Sequence, residues 1–257
     1  MRQMVKIIYI CENTIHGIFS ALYDAWKESR DLEVGIALKG QVEHKLFCEY
    51  KDVKTDEQKV FKLDYFLKKH LGYQAYHDMY HALLSNDSYK AEAVFKVMQA
   101  AREVKNSNKI MEHLSNSDVM KVFELSRKVG NEAHLFTGFV RFRELENGIL
   151  FSEIAPNNQI LTCISDYFTN RYPLEDWVIY DKTYEMFLVH PKGKDSFLMT
   201  GYELDLDFAE KVSQEEGQIV ELWKGFFTSI SITERESKKR QRGCLPLRYR
   251  THMTEFT

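Results

Sequence analysis

Arg141 and Arg143 are the two residues of this chain whose surroundings most directly raise a question of chemistry. They lie in Gly138-Phe-Val-Arg-Phe-Arg-Glu-Leu145, a β-prone run followed by Asn147-Gly148 and a second run, Ile149-Leu-Phe-Ser-Glu-Ile154. Asn-Gly between two such runs predicts a type I′ hairpin turn, because both residues tolerate the positive φ that this turn needs. With Glu146 and Ile149 flanking a two-residue loop, Arg143 falls opposite Ser152 and Arg141 opposite Ile154, so neither has a carboxylate directly across the ladder. Their partner is then a helix C-terminus or an acid elsewhere in the fold, or else a phosphate or carboxylate ligand.

A second basic feature closes the chain. Arg235, Lys238, Lys239, Arg240, Arg242, Arg248 and Arg250 are opposed by one acid, Glu236, between positions 235 and 250. In a chain of net charge -3 this is a local positive field able to neutralise several phosphates, and Tyr249 between two arginines offers a surface for stacking an unpaired base. The plainer reading is a solvated helix face with a tail tucked onto the body.

For proton transfer the candidates are His134, Glu153, Asp166 and Asp181, with His134 the one proposed as a catalytic acid or base. No nucleophile elbow, diagnostic carboxylate pair or ligand cluster accompanies them, and a structural ion pair is the competing role. His77 and His81 have the four-residue spacing with which one helix face can present two nitrogens to a metal, yet no third ligand follows at a recognisable offset. No metal and no cofactor are expected. Gly17 stands alone after the first strand, without the glycine pattern of a dinucleotide or P-loop site, so Asn13 or Thr14 reads as a helix cap. Cys11, Cys48, Cys163 and Cys244 are widely spaced, which argues against a zinc module, an iron–sulfur cluster or a disulfide scaffold and fits a reducing, cytoplasmic setting. Neither a membrane span nor a signal peptide is expected.

The elements that must position these residues read as α+β. Val5–Ile10 and Leu32–Leu38 are strands around a helix that carries Ile15, Ile18, Phe19, Leu22, Tyr23 and Trp26. Residues 56–130 form a helical insertion with breaks at Gly72, Ser85–Ser88 and Asn106–Asn108, its last helix starting at Ser117. Ile160–Phe168 is a helix closed by Pro173. Trp177–Asp181 and Glu185–His190 form a second hairpin, Ser196–Thr200 a further strand, and Ile219, Leu222, Trp223, Phe226, Phe227 and Ile230 the apolar stripe of a late helix. Residues 1–257 thus read as a single extended α+β unit, a small mixed or antiparallel sheet packed with a helical block.

Glu132-Ala-His134, Gly138-Phe-Val-Arg-Phe142, the Phe168/Arg171/Pro173 cluster, Trp177-Val-Ile-Tyr-Asp181 and Leu245-Pro-Leu-Arg-Tyr249 resemble, in order and spacing, the family labelled probable DNA metabolism proteins. Members of that family resemble one another over nearly the full chain. They are encoded beside a radical-SAM protein presumed to modify or repair DNA, and the same domain occurs fused to uracil-DNA-glycosylase-like modules. The chain departs from the family pattern where Cys11–Gly17 replaces Asp-Gly-Ser-Phe-Glu-Gly and where Tyr167-Phe168 replaces His-Phe. The resemblance implies an accessory role in DNA repair or base modification, with DNA and a radical-SAM protein as partners. On that reading Arg141, Arg143, Arg171, Lys238, Lys239, Arg240, Arg242, Arg248, Tyr249 and Arg250 contact nucleic acid. The alternatives are a metal-independent enzyme using His134 and a protein-binding adaptor. Gly138–Phe142 also matches the second half of an RNA-recognition octamer, but Leu135, Phe136 and Thr137 break its first half.

Overall fold

A computed structural model describes residues 6–42, 46–200, 211–230 and 237–256. Val5, Arg235 and Glu236, singled out above, lie outside the described residues, as does the side chain of Phe227. The fold is α+β and divides into two compact units, residues 1–130 and 131–257.

In the first unit β1 (Lys6–Cys11) runs between two parallel neighbours, β2 (Val34–Leu38) and β3 (Cys48–Asp52), in the order β2-β1-β3. A central parallel strand is covered on both faces, which is why Ile7, Ile8, Tyr9 and Cys11 are all buried. The crossover to β2 is α1 (Ile15–Glu28), capped by Thr14, whose Oγ1 accepts from Gly17 N at 3.0 Å. Gly17 fits that turn because a Cβ there would lie 2.8 Å from Glu12 O. Of the two cap candidates, Thr14 is the one that serves.

The segment read as a helical insertion supplies α2 (Glu57–Leu83), broken at Gly72 where φ is +76°, then α3 (Lys90–Glu103) and a 3-10 turn, Ser107–Glu112. Leu63, Leu67, Val94 and Met98 from it join Ile18, Leu22 and Ile36 in one apolar core. On α2, His77 and His81 pack with ring centroids 3.9 Å apart, and burial, aided by the adjacent His77, lowers His81 to about 4. Among the described residues no group of three or more His, Cys, Asp or Glu converges as a metal set, and the four cysteines are free thiols. Among the described residues no helix is long and apolar enough to cross a membrane.

α4 (Ser117–Phe139) corrects the first predicted strand. Val119, Val122, Leu125, Val129, Ala133, Phe136 and Val140 repeat at three- and four-residue spacing and are all buried, so the helical period continues past Gly130 and takes Gly138 and Phe139 with it. What remains of the strand is β4, Arg143–Glu144. The hairpin to β5 (Leu150–Ile154) exists, with a different loop from the one expected. Leu145 N donates to Ile149 O, enclosing three residues, of which Gly148 alone has positive φ (+79°) while Asn147 Oδ1 accepts from Ile149 N. A three-residue loop closing on a left-handed glycine replaces the type I′ turn, and the register slips by one: Arg143 pairs with Phe151.

β5 then pairs in parallel with β6 (Trp177–Asp181) through the crossover helix α5 (Leu161–Arg171), and β7 (Met186–His190) and β8 (Phe197–Thr200) follow antiparallel. The sheet is mixed, in the order β4-β5-β6-β7-β8. The chain closes with α6 (Gln214–Ser229), α7 (Lys238–Cys244) and two 3-10 turns, Leu247–His252 and Thr254–Phe256.

Candidate nucleic-acid interface

Within the C-terminal unit a groove of about 640 Å³ opens between the end of α4, α5, α6 and the last 3-10 turn. Arg141 and Phe142 line one side, Tyr167, Phe168, Arg171 and Tyr172 the second, Trp223 and Thr254 the third, and among the described residues its lining contains no carboxylate. Tyr167 and Arg171 are four apart on α5 and so share a helix face. The aromatic rings brace one another edge to face: Tyr167 on Phe168 at 5.0 Å, Phe142 on Phe168 at 5.6 Å and on Tyr172 at 5.5 Å.

Two of the expected arginines meet here in different states. Arg141 is held inside the protein: Nε and Nη2 donate to Glu255 at 3.2 and 2.7 Å, and Nη1 donates to the carbonyls of Gly138 and Val140. Glu255, whose side chain is 3% exposed, also accepts from Trp223 Nε1 at 3.3 Å. Burial pushes its carboxyl up, but the bonds from Arg141 and Trp223 outweigh burial and hold it below the usual carboxylate range. Arg171 is exposed, with Nε donating to Tyr172 OH at 3.4 Å.

The remaining expected residues lie elsewhere. Arg143 is exposed on β4, 5.3 Å over the Phe151 ring. Lys238, Lys239, Arg240 and Arg242 are exposed along α7, and Arg248 is exposed beside Tyr249. Arg250 donates from Nε and Nη2 to Leu245 O and covers the Phe256 ring at 4.8 Å. Tyr249 is buried against Phe136 and Phe139, its hydroxyl donating to Glu132, so its ring faces the core and presents no stacking surface to a base. His134 is exposed on α4 outside the groove lining. Asp166 is also exposed, and Glu153 accepts from Lys182 Nζ at 3.2 Å.

Asp181 is the titratable residue of the sheet with an unusual setting. Its Oδ1 accepts from Thr183 N and Tyr184 N while Oδ2 is buried and without a hydrogen-bond partner among the described residues. Burial raises the carboxyl from 3.8 to about 7, aided by the nearby Glu132 and against the pull of the two N–H groups. A raised folded-state pKa means that the native protein binds more protons than the unfolded chain between those values, so this residue costs stability as pH climbs through the window. Asp181→Asn is expected to flatten that slope and to add roughly 2–4 kcal/mol above pH ~7. Urea denaturation on both sides of the window checks it, and equal slopes for both proteins would refute it.

Of the groove lining, sequence reasoning named Arg141 and Arg171 as binding residues and did not gather Phe142, Tyr167, Phe168, Tyr172 and Trp223. The spacing of Tyr167, Phe168 and Arg171 carried half of the signal, since it puts an aromatic and a cation on one helix face. A family model described as "Domain of unknown function (DUF4130)" matches residues 88–255, a span that includes every lining residue of the groove. No curated protein matches the chain.

Proposed function

We propose that this chain, which belongs to the DUF4130 family, is a DNA-associated accessory protein of DNA repair or base modification that holds nucleic-acid phosphates through local basic residues of its C-terminal unit. The observation that carries the reading is the groove, where an exposed arginine stands among aromatic rings and, among the described residues, no acid lines it. The seven residues of α7, four of them cationic and none acidic, add an exposed positive helix in a chain whose net charge is -3. The resemblance to the DNA metabolism family supports DNA as the polymer and a radical-SAM protein as a partner.

Salt-dependent anisotropy of labelled DNA tests this. The logarithm of affinity should fall linearly with the logarithm of salt, since binding to phosphates releases counterions. Replacing Lys238, Lys239, Arg240 and Arg242 with alanine is expected to reduce the slope by roughly 0.7–0.9 for each phosphate that is no longer neutralised. An unchanged slope would remove α7 from the interface, and affinity independent of salt would end the reading altogether.

One observation favours a second reading, a protein-binding adaptor: Leu222, Phe226 and Ile230 of the late helix are 73, 54 and 57% exposed, an apolar stripe of the kind that protein partners cover. Loss of co-elution with the radical-SAM partner in Leu222→Glu would support it. The enzymatic alternative has less behind it, because His134 stands outside the groove and, among the described residues, no assembled nucleophile or second proton donor accompanies it there.

A further inference from the structure

Resting on the nucleic-acid reading above and deepening it, we propose that the groove receives one unpaired base of a DNA strand, stacked on its aromatic side chains, with the adjoining phosphate on Arg171. Arg141 commits four of its five N–H donors to Glu255 and two carbonyls, and its charge is met by the Glu255 carboxylate, so it serves to build the wall. Among the described residues that line the groove, Arg171 is left as the exposed cation. One guanidinium matches one phosphate, whereas a duplex presents two backbones and is held by several cations spread along it.

The rest of the lining is suited to a π-face. Tyr167 and Trp223 leave 41 and 39% of their surface in water, a cost that a stacked base would offset. Their neighbours are braced edge to face at 5.0–5.6 Å, so little side-chain freedom remains to be lost when a base enters. Tyr167 and Arg171 stand one turn apart on α5, about 5–6 Å between Cβ atoms, a gap that one sugar can span. The groove volume, about 640 Å³, lies within the ~300–1,000 Å³ typical of small-ligand sites and is sufficient for a nucleotide. Stacking is tolerant of base identity, so the site selects for an unpaired state before it selects for sequence.

The test compares the full chain with Tyr167→Ala, Tyr167→Phe and Arg171→Ala on three labelled probes: a single strand, the matching duplex, and the same single strand with abasic sites. Both positions are exposed, and thermal melts should overlay. For the single strand, Tyr167→Ala should weaken binding about tenfold and Tyr167→Phe hardly at all, while duplex affinity changes by less than about twofold. The abasic strand should bind the unaltered protein about tenfold more weakly than the intact strand and weaken no further in Tyr167→Ala. Arg171→Ala should weaken the intact and abasic single strands alike. Equal losses on single strand and duplex, or none in Tyr167→Ala, would overturn the base-stacking site while leaving phosphate binding standing. Failure of the unaltered protein to bind any of the probes would instead overturn the nucleic-acid reading itself.

Discussion

Arg141→Ala should destabilise the protein by about 3 kcal/mol or more, at the lower end of the ~3–5 kcal/mol found when one partner of a buried ion pair is removed, because Arg141 itself is 25% exposed. The cost arises mainly at Glu255, whose side chain would stay buried with the indole N–H of Trp223 and its own backbone N–H but without its two charge-assisted bonds. Two carbonyls, those of Gly138 and Val140, lose a donor in the same step. Glu255 gives the effect a pH signature. Its carboxyl is held below the ordinary value, so the pair stabilises the fold above the unfolded-state pKa and that contribution fades as pH falls through the folded-state value. The gap between Arg141→Ala and the parent protein should therefore narrow in acid. The double variant with Glu255→Ala should cost less than the two single variants added together. A chemical-denaturation series settles the matter: an Arg141→Ala protein as stable as the parent would make that arginine free to face a ligand.

The same ion pair shows where sequence legibility ends. β1, α1 and β2 were readable because their apolar periods are uninterrupted and Thr14 has a cap's chemistry. The Trp177/His190 hairpin was readable for a similar reason, and Gly72 marked a real break. Two errors came from local propensity. Gly138–Leu145 has β-prone residue types, but the buried face that runs from Val119 to Val140 is long enough to carry the helix through its first two residues. Asn147-Gly148 did mark the turn, yet two positive φ were not needed once the loop enclosed three residues, and a slip of one residue changed the partner of Arg143 from Ser152 to Phe151. β3, Cys-Glu-Tyr-Lys-Asp, escaped notice because it has no apolar period; its pairing with β1 alone makes it a strand. Glu255 lies 114 positions from Arg141, and the groove draws its walls from the end of α4, α5, α6 and the last 3-10 turn. α5 and α6 each looked amphipathic by itself, while the end of α4 read as a strand. No spacing rule relates side chains brought together only by tertiary packing.

Glu132→Ala is expected to have the largest effect of any single substitution in the C-terminal unit. The carboxylate is 5% exposed and accepts four hydrogen bonds: Oε1 from Asn157 N and Tyr249 OH, Oε2 from Asn158 N and Asn158 Nδ2. Truncation strands those donors together. At about 1–3 kcal/mol for each buried group left unsatisfied, and allowing for partial relaxation, the loss should exceed about 4 kcal/mol, enough to leave a protein of ordinary stability largely unfolded near 37 °C. Glu132→Gln should rescue little, because the amide turns one acceptor into an N–H pair that faces donors already in place. Tyr249→Phe removes a single donor and leaves three, so it should cost about 1 kcal/mol and serves as the graded control. The network matters to the groove because it ties Asn157 and Asn158, a few residues before α5, and Tyr249, shortly before the turn that carries Glu255. Hydrogen exchange in Tyr249→Phe should therefore quicken at α5 and at Thr254–Phe256 before it quickens in β6 and β7, which are joined by their own ladder. A Glu132→Ala protein that melts within a few degrees of the parent would show that this carboxylate is dispensable, and the positions of Tyr167 and Arg171 would then need another support.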